Sequence, residues 1–442
     1  MTQSTQIDVD ASDGLAWLTR PYTFLRERAA THGDTFVANL GRYGRYVLFS
    51  NPADVREIFS LGSEILHAGQ GNAVLKSFLG AGSLLLLEEE LQHRERRLLQ
   101  PGFAAARLAT HVHHIERVAN LHIDRLEVGT TVRAQELMQD ITLEVIFGLV
   151  FGDVPHPSHD VLQCRLSAFL NDTKFNLALI SELHESLGAS PAWAKFRESL
   201  GVIRAMLADE VARRRASPTP GGDDLLSMLV VAKYADGDAI SDEHLVDELL
   251  TIIVTGYETT ATALAWALYW VHRDPRVARD LGERARAIAP TDAHKDPYLT
   301  ALCREVLRIH PVIPVVARKV RVPVTIGGKT YDVGTIVAPC IYLTHHRPDL
   351  YPEPDTFRPE RFLERTYTAS EYYPFGGGAR KCLGMGLAMM EMAIVLCVVT
   401  RRLDLELLHA EKLAPQRRSV TVAPSLGTPL RVLSKASYGV VS

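Results

Sequence analysis

The chain has 442 residues, 47% of them hydrophobic, and a formal net charge of −4 at neutral pH. That is ample apolar material for a large core, and the slight acidity offers nucleic acid no obvious surface. The five cysteines, Cys164, Cys303, Cys340, Cys382 and Cys397, contain no Cys-x-x-Cys pair, which argues against a disulfide framework or a zinc site and suits a reducing cytoplasm.

Residues 1–13 are polar and lack the basic and apolar regions of a signal peptide. No run reaches the ~18 uncharged apolar residues of a membrane span. The expectation is a soluble, cytoplasmic protein without a membrane anchor. A helix is expected over 21–32, then strand-like runs over 35–40 and 45–49. From about residue 90 to 272 the pattern is mostly helical. It carries a basic cluster, Arg94, Arg96 and Arg97. The Pro/Gly cluster at 217–222 is short enough for a loop. Nothing divides the chain into domains, so one domain over 1–442 is expected.

The most telling helix is expected over 241–273, ended by Asp274-Pro275. From Leu249 it is apolar nearly all round, the pattern of a helix buried at the centre of a large protein. Inside it lies Thr255-Gly256-Tyr257-Glu258-Thr259-Thr260. Gly256 costs ~1 kcal/mol relative to alanine in a helix and is expected to let the helix open locally. A threonine hydroxyl can replace a lost backbone bond and hold a water. A carboxylate among apolar residues is expensive unless something uses it, and Glu258 could pass protons. The plain alternative is that Glu258 meets solvent or an arginine.

Beyond Lys319, short strands are expected over 320–324, 325–331 and 335–337, with Gly327-Gly328 and Gly334 as turns. The segment Phe375-Gly376-Gly377-Gly378-Ala379-Arg380-Lys381-Cys382-Leu383-Gly384 sets one cysteine after a glycine-rich turn, at the start of an apolar run. Such a loop can present a thiolate to a metal, with backbone N–H groups aimed at the sulfur. On haem iron a thiolate favours O–O cleavage. A phosphate cradle would need a Gly-Lys-Ser/Thr ending that is absent. A lone cysteine can also be a small buried hydrophobe. A last helix is expected to about residue 401, then a strand pair near 418–422 and 430–432. Cys303 and Cys397 fall in helical apolar patterns and are expected in the core.

Taken together, these motifs resemble the cytochrome P450 family over nearly the whole chain. The resemblance implies a mainly α fold with small β-sheets, a helix-rich domain around haem b with a long central helix and a smaller β-rich region. It makes Cys382 the axial thiolate, within a loop that includes Phe375 and Gly384. It makes Glu258 and Thr259 the acid–alcohol pair that delivers protons. Glu305-Val306-Leu307-Arg308 resembles the family's Glu-x-x-Arg helix and Pro359-Glu360-Arg361-Phe362 its partner loop. Glu305, Arg308 and Arg361 are then expected to form a charged triad.

For the haem propionates the resemblance nominates His93, Arg97, Arg318 and Arg380. Arg380, where many soluble bacterial members carry histidine, gives a bacterial-type chain some eukaryote-like motifs. The implied reaction is monooxygenation with O2 and two electrons. An external ferredoxin or flavodoxin with its reductase is expected to supply them, steered by Arg94, Arg96 and Lys381. The substrate pocket is expected to draw on 61–87, 166–196, 249–259, 312–316 and 425–427, with Ile252, Thr255, Gly256, Ile313, Val315 and Val316 among its walls. These are mostly apolar, which fits a terpenoid, a steroid or a fatty acid. A reductant-independent isomerase or peroxygenase would usually lack the acid–alcohol pair. A haem gas sensor would usually carry an output domain.

Overall fold

The computed structural model describes residues 12–40, 44–152, 156–171, 191–216, 223–418 and 420–437. Most of residues 1–13, the 217–222 cluster and much of 166–196 therefore lie outside the described residues. The helices used below are α1 (Pro21–His32), α2 (Pro52–Ser60), α3 (Glu89–Leu99), α4 (Ala134–Phe151), α5 (Asp242–Arg273), α6 (Pro297–Ile309) and α7 (Met385–Arg402).

The strands are β1 (Thr35–Asn39), β2 (Arg45–Phe49), β3 (Leu66–His67), β4 (Thr131–Arg133), β5 (Arg318–Val320), β6 (Val324–Ile326), β7 (Lys329–Tyr331), β8 (Ile336–Pro339), β9 (Leu403–Leu407), β10 (Pro415–Arg418), β11 (Thr421–Pro424) and β12 (Pro429–Lys435). The largest sheet runs β1-β2-β8-β5-β3. Its β2–β8 pair is parallel, aligning Leu48 with Ala338, and the others are antiparallel.

Strand β2 shows why this sheet sits between two cores. Its alternate residues point to opposite faces. Tyr46 and Leu48 join Trp17, Tyr22 and Phe24 on one face. Val47 and Phe49 join Ile58, Leu66 and Val320 on the other. Both faces are covered, so the strand reads as a continuous apolar run.

The end of the chain differs from expectation. Residues 418–422 and 430–432 do not pair with each other. Strands β10 and β11 form their own hairpin, while β12 lies between β4 and β9. Strand register depends on partners far away in sequence, which local pattern does not carry.

Helix α5 begins and ends where its residues dictate. The Ser241 side chain accepts from the His244 N–H at 3.2 Å, and Asp242 and Glu243 suit the positive end of the helix dipole. Asp274 then caps the next helix by accepting from the Arg276 N–H at 2.9 Å, with Pro275 in its first turn. The 32 residues between form one unbroken helix. The expected opening at Gly256 does not occur. Instead a Cβ at Gly256 would lie 3.0 Å from Cδ1 of Ile146, so the glycine serves close packing of α5 on α4. Polar bonds tie the same two helices: Thr142 Oγ1 donates to the Tyr257 carbonyl at 3.0 Å, and Gln135 to Thr262 at 3.2 Å.

Helix α7 runs through the main core, where Ile394, Val395 and Cys397 are fully buried, as is Cys303 on α6. It also buries a carboxyl. Glu391 is 2% exposed, and burial alone pushes its pKa well above the ordinary value. A folded-state pKa above the unfolded value means that folding takes up a proton. The stability is therefore full below the unfolded pKa of about 4.3 and is lost as pH rises through the folded pKa. Stability measured by urea unfolding should fall between mildly acidic and mildly basic pH, by up to ~1.4 kcal/mol per unit for this group. Glu391→Gln should flatten that slope; an unchanged slope would show the carboxyl to be ionised in the folded chain.

Candidate active site

The cysteine loop is built on Phe59, at the end of α2. A Cβ at Gly377 would sit 2.4 Å from the Phe59 ring, and one at Gly378 2.6 Å from the Phe59 carbonyl oxygen. Gly376 and Gly378 also have φ of 68° and 64°, a region costly for other residues. The Cys382 N–H donates to the Phe375 carbonyl at 3.0 Å and closes the loop. Phe375 itself packs against the main core. Gly384 caps α7.

Cys382 is exposed, yet surrounding protein pushes its thiol pKa up; the Gly384 and Met385 backbone N–H groups, Arg96 and Lys381 pull it back. A side chain both reachable and desolvated lines a hollow rather than the outer surface. That hollow encloses about 470 Å³ and is bounded by Arg96, Arg97, Gln100, Phe103 and Leu383. Backbone donors and cations are thus arranged round this sulfur as a negative charge requires. Such a sulfur suits a metal, because a coordinating thiol is deprotonated outright.

Buried cations form the second part of the site. Arg318, on β5, is 9% exposed. Its guanidinium donates to the neighbouring Ala317 carbonyl at 2.8 Å, and no carboxylate pairs with it among the described residues. Burial, and repulsion from Arg380, push its pKa down to about 10. Arg380 is engaged by Glu88 at 2.6 Å and by the Leu84 carbonyl at 3.2 Å. With Glu88 paired to Arg380 and no carboxylate on Arg318 among the described residues, the two desolvated arginines leave room for a further anion.

On α3, His93 and Arg97 both stand at exposed positions, and Arg97 lines the Cys382 hollow together with Arg96. Arg97 is 67% exposed in its side chain and pairs with Glu90 at 2.8 Å. The inward face of α3 instead presents Gln92, 1% exposed with neither side-chain amide atom hydrogen-bonded, and Arg96, whose pKa burial lowers. Gln92 and Arg96 are four apart and share a helix face. The buried rhythm Gln92, Glu95, Leu98, Leu99 follows the helical period, and setting the apolar Leu98 and Leu99 inward would have revealed it from sequence. Arg94 also turns away: it pairs with Asp236 at 3.0 Å and lies over the Tyr234 ring at 3.9 Å.

On α5, Thr251, Thr255 and Thr259 each donate to the carbonyl four residues back, at 2.7 Å. Thr255 is exposed although Ile252, Ile253 and Tyr257 around it are buried. An exposed side chain amid a buried helix faces an internal space. Glu258 accepts from Gln139 Nε2 at 2.7 Å and lies 3.6 Å from Arg418 Nε on β10, so the arginine contact foreseen as the plain alternative is present. Burial raises its pKa; Arg418, Gln139 and Tyr257 oppose that rise. Its Oε1 makes no hydrogen bond. Ile313 is half-buried. Val315 packs towards the Trp17–Tyr22 core and Val316 towards Val55, Ile341 and Tyr373.

Glu305, Arg308 and Arg361 come together with at most 1% exposure each. Arg308 donates to Glu305 at 2.7 and 2.8 Å, and Arg361 donates to the same carboxylate at 3.1 Å. The remaining guanidinium N–H groups bond to the carbonyls of His345, Pro352, Pro354 and Thr356. The network reaches the cysteine loop. Arg308 holds the His345 carbonyl at 2.9 Å, His345 Nε2 accepts from the Tyr373 N–H at 3.0 Å, and the Tyr373 carbonyl accepts from the Gly376 N–H at 2.9 Å.

The chain matches known proteins over most of its length. The family profile described as Cytochrome P450 matches residues 15–430. A protein of Mycobacterium tuberculosis (strain ATCC 25618 / H37Rv) named cytochrome P450 135B1 is 33% identical over 410 residues, covering 92% of this chain and 86% of its own. Another from the same strain, cytochrome P450 135A1, is 32% identical over 419 residues, covering 94% and 92%. In fold, the chain is similar to the retinoic acid-bound cyanobacterial CYP120A1, with a TM-score of 0.81 at 23% identity, covering 93% of this chain and 94% of that one.

The chain belongs to the cytochrome P450 family. Its class is thus that of haem b-binding, O2-using oxidoreductases that draw electrons from a redox partner. Among the described residues no helix is long and apolar enough to cross a membrane.

The triad generates a sharp expectation. Glu305→Gln keeps the shape but leaves two buried guanidinium groups without their shared charge, which should cost ~3–5 kcal/mol. Because the network leads to Gly376, haem retention should fall along with the thermal midpoint. Full haem content in a destabilised variant would uncouple the triad from the loop.

Proposed function

We propose that residues 1–442 act as one monooxygenase domain, in which Cys382 would hold the haem iron through its thiolate. The observation that carries this is the Cys382 sulfur, set at the start of α7 under the Gly384 and Met385 amides, with Arg96 and Lys381 near it. Arg318, Arg380, His93 and Arg97 are suited to the propionates: two buried guanidinium groups short of counter-charge, and two exposed basic groups four apart on α3, Arg97 beside the Cys382 hollow. When bound, haem with a thiolate ligand supplies O2 activation and O–O cleavage.

The chain's own part is proton supply and positioning. Thr259 donates its hydroxyl proton to the Thr255 carbonyl, which leaves the oxygen lone pairs free to accept from a water. Glu258 Oε1 is buried and makes no hydrogen bond, and the raised pKa suits a group that both takes up and releases a proton. Its contact with Arg418, a partly exposed residue, gives a route from the protein edge. The presence of this pair favours reductant-driven oxygenation over peroxide rearrangement or gas sensing.

The walls near Ile252 and Ile313 are apolar, so the substrate class is an apolar small molecule: terpenoid, steroid or fatty acid. Retinoic acid, bound by the cyanobacterial neighbour, has that character. Lys381, exposed beside Cys382, and Arg96 on the rim of the hollow suit an acidic ferredoxin or flavodoxin, supplied by its reductase, whereas Arg94 is paired with Asp236.

The test is spectral. Reduced holoprotein under carbon monoxide should show the strongly red-shifted Soret band of thiolate ligation, and Cys382→Ala should lose it. The same band in that variant would overturn the assignment. Thr259→Ala should keep haem but divert electrons to peroxide, with product per NADPH falling severalfold in a ferredoxin-driven assay. Turnover there should also slow as salt rises. Undiminished coupling would remove Thr259 from the proton path.

A further inference from the structure

Glu95 on α3 meets His244 and Glu248, both in the opening turns of α5. One ligand atom from each lies within 4.8 Å of the others. Glu95 is 1% exposed and Glu248 0%. Neither oxygen of Glu248 makes a hydrogen bond, nor does Oε1 of Glu95. Tyr234 donates to Glu95 Oε2 at 2.7 Å. His244 Nε2 lies 3.6 Å from the same oxygen and donates to the Gly82 carbonyl at 2.6 Å.

Counter-charge is what this cluster lacks. Among the described residues no arginine or lysine pairs with Glu95 or Glu248. The nearby Arg94 is already occupied by Asp236 at 3.0 Å. The contrast with a second cluster, His156, His159 and Glu210, is direct. There Arg213 and Arg214 hold Glu210, Arg214 at 2.9 Å, and its pKa falls to about 2. Glu248, by comparison, is pushed well above the ordinary carboxylate range by burial and by Glu95, with only the Leu84 amide opposing. Two buried carboxylates without a cation are expensive unless something neutralises them.

We propose that Glu95, His244 and Glu248 bind one divalent first-row transition metal ion, zinc being the best match. Two carboxylates and a dication sum to zero charge. One imidazole and two carboxylates suit zinc, and three protein ligands leave a fourth position for water. Tyr234 fixes the orientation of Glu95 from behind, the usual role of a partner to a ligating group. Coordination through Nε2 of His244 releases the proton now given to Gly82. The ion would pin α3 to α5 and to the loop that carries Gly82 and Leu84.

The experiment uses haem-loaded protein, stripped with a chelator and dialysed against zinc. Elemental analysis should find one zinc per chain in addition to haem iron, and zinc should raise the thermal midpoint. Glu248→Gln and His244→Ala should each weaken zinc binding by about tenfold or more and abolish the thermal shift, with haem content unchanged. Glu95→Gln gives a second carboxylate variant, should Glu248→Gln fold poorly. No retained zinc, or equal zinc in the variants, overturns the proposal. So does an infrared band of a buried protonated carboxyl that zinc leaves in place. Haem spectra are read separately, so failure here leaves the Cys382 assignment standing.

Discussion

A sulfur anion inside a protein persists only where positive charge and backbone N–H groups converge on it. At Cys382 that requirement shapes much of its surroundings. The start of α7 supplies the Gly384 and Met385 amides, and α3 and the loop supply Arg96 and Lys381. The glycines exist because Phe59 occupies the space their side chains would need. Behind the loop, Glu305, Arg308 and Arg361 hold the chain through His345 and Tyr373. A buried ion network is a poor source of stability by itself. Its value here is geometric, because each guanidinium fixes several carbonyls of an otherwise irregular segment.

The central helix meets a different demand. It must bring polar groups to the middle of an apolar protein without breaking. Three threonines solve this by bonding back along their own helix, so their hydroxyl protons are satisfied locally. Glu258 is held by Gln139 and approached by Arg418. The pair thus belongs to both the interior and the edge of the molecule. Close contact with α4, through Gly256 and Ile146, keeps α5 straight where a local opening was expected.

Charge imbalance is informative in both directions. Glu88 pairs with Arg380, Arg318 beside it pairs with no carboxylate among the described residues, and the surplus cation suits an anionic ligand. Among the described residues neither Glu95 nor Glu248 pairs with an arginine or lysine, only Arg94 and His244 lying near Glu95, and the surplus suits a metal. Around Glu210 arginines balance the buried charge, and at Glu391, buried without a counter-charge, a proton does so. An imbalance in such a protein marks a place where something other than the chain completes the structure.

Much was legible in the residues themselves. The cysteine loop, the limits of α5, the Glu305–Arg308 spacing and the pairing of Arg361 with them depend on short-range chemistry: turns, caps and helix faces. The gaps have one kind of cause. Four-residue spacing puts His93 and Arg97 on one face of α3 but does not say what that face meets; Leu98 and Leu99 decide by packing which face enters the core. The closing strands were mispaired because their partners, β4 and β9, are remote in sequence. The imbalance at Glu95 and Glu248 was invisible, since α3 and α5 are about 150 residues apart. The sequence by itself determined the chemistry available and the local forms that carry it. Only the tertiary structure decided which faces turn inward and which charges meet, because burial and long-range contact are set by how the whole chain packs.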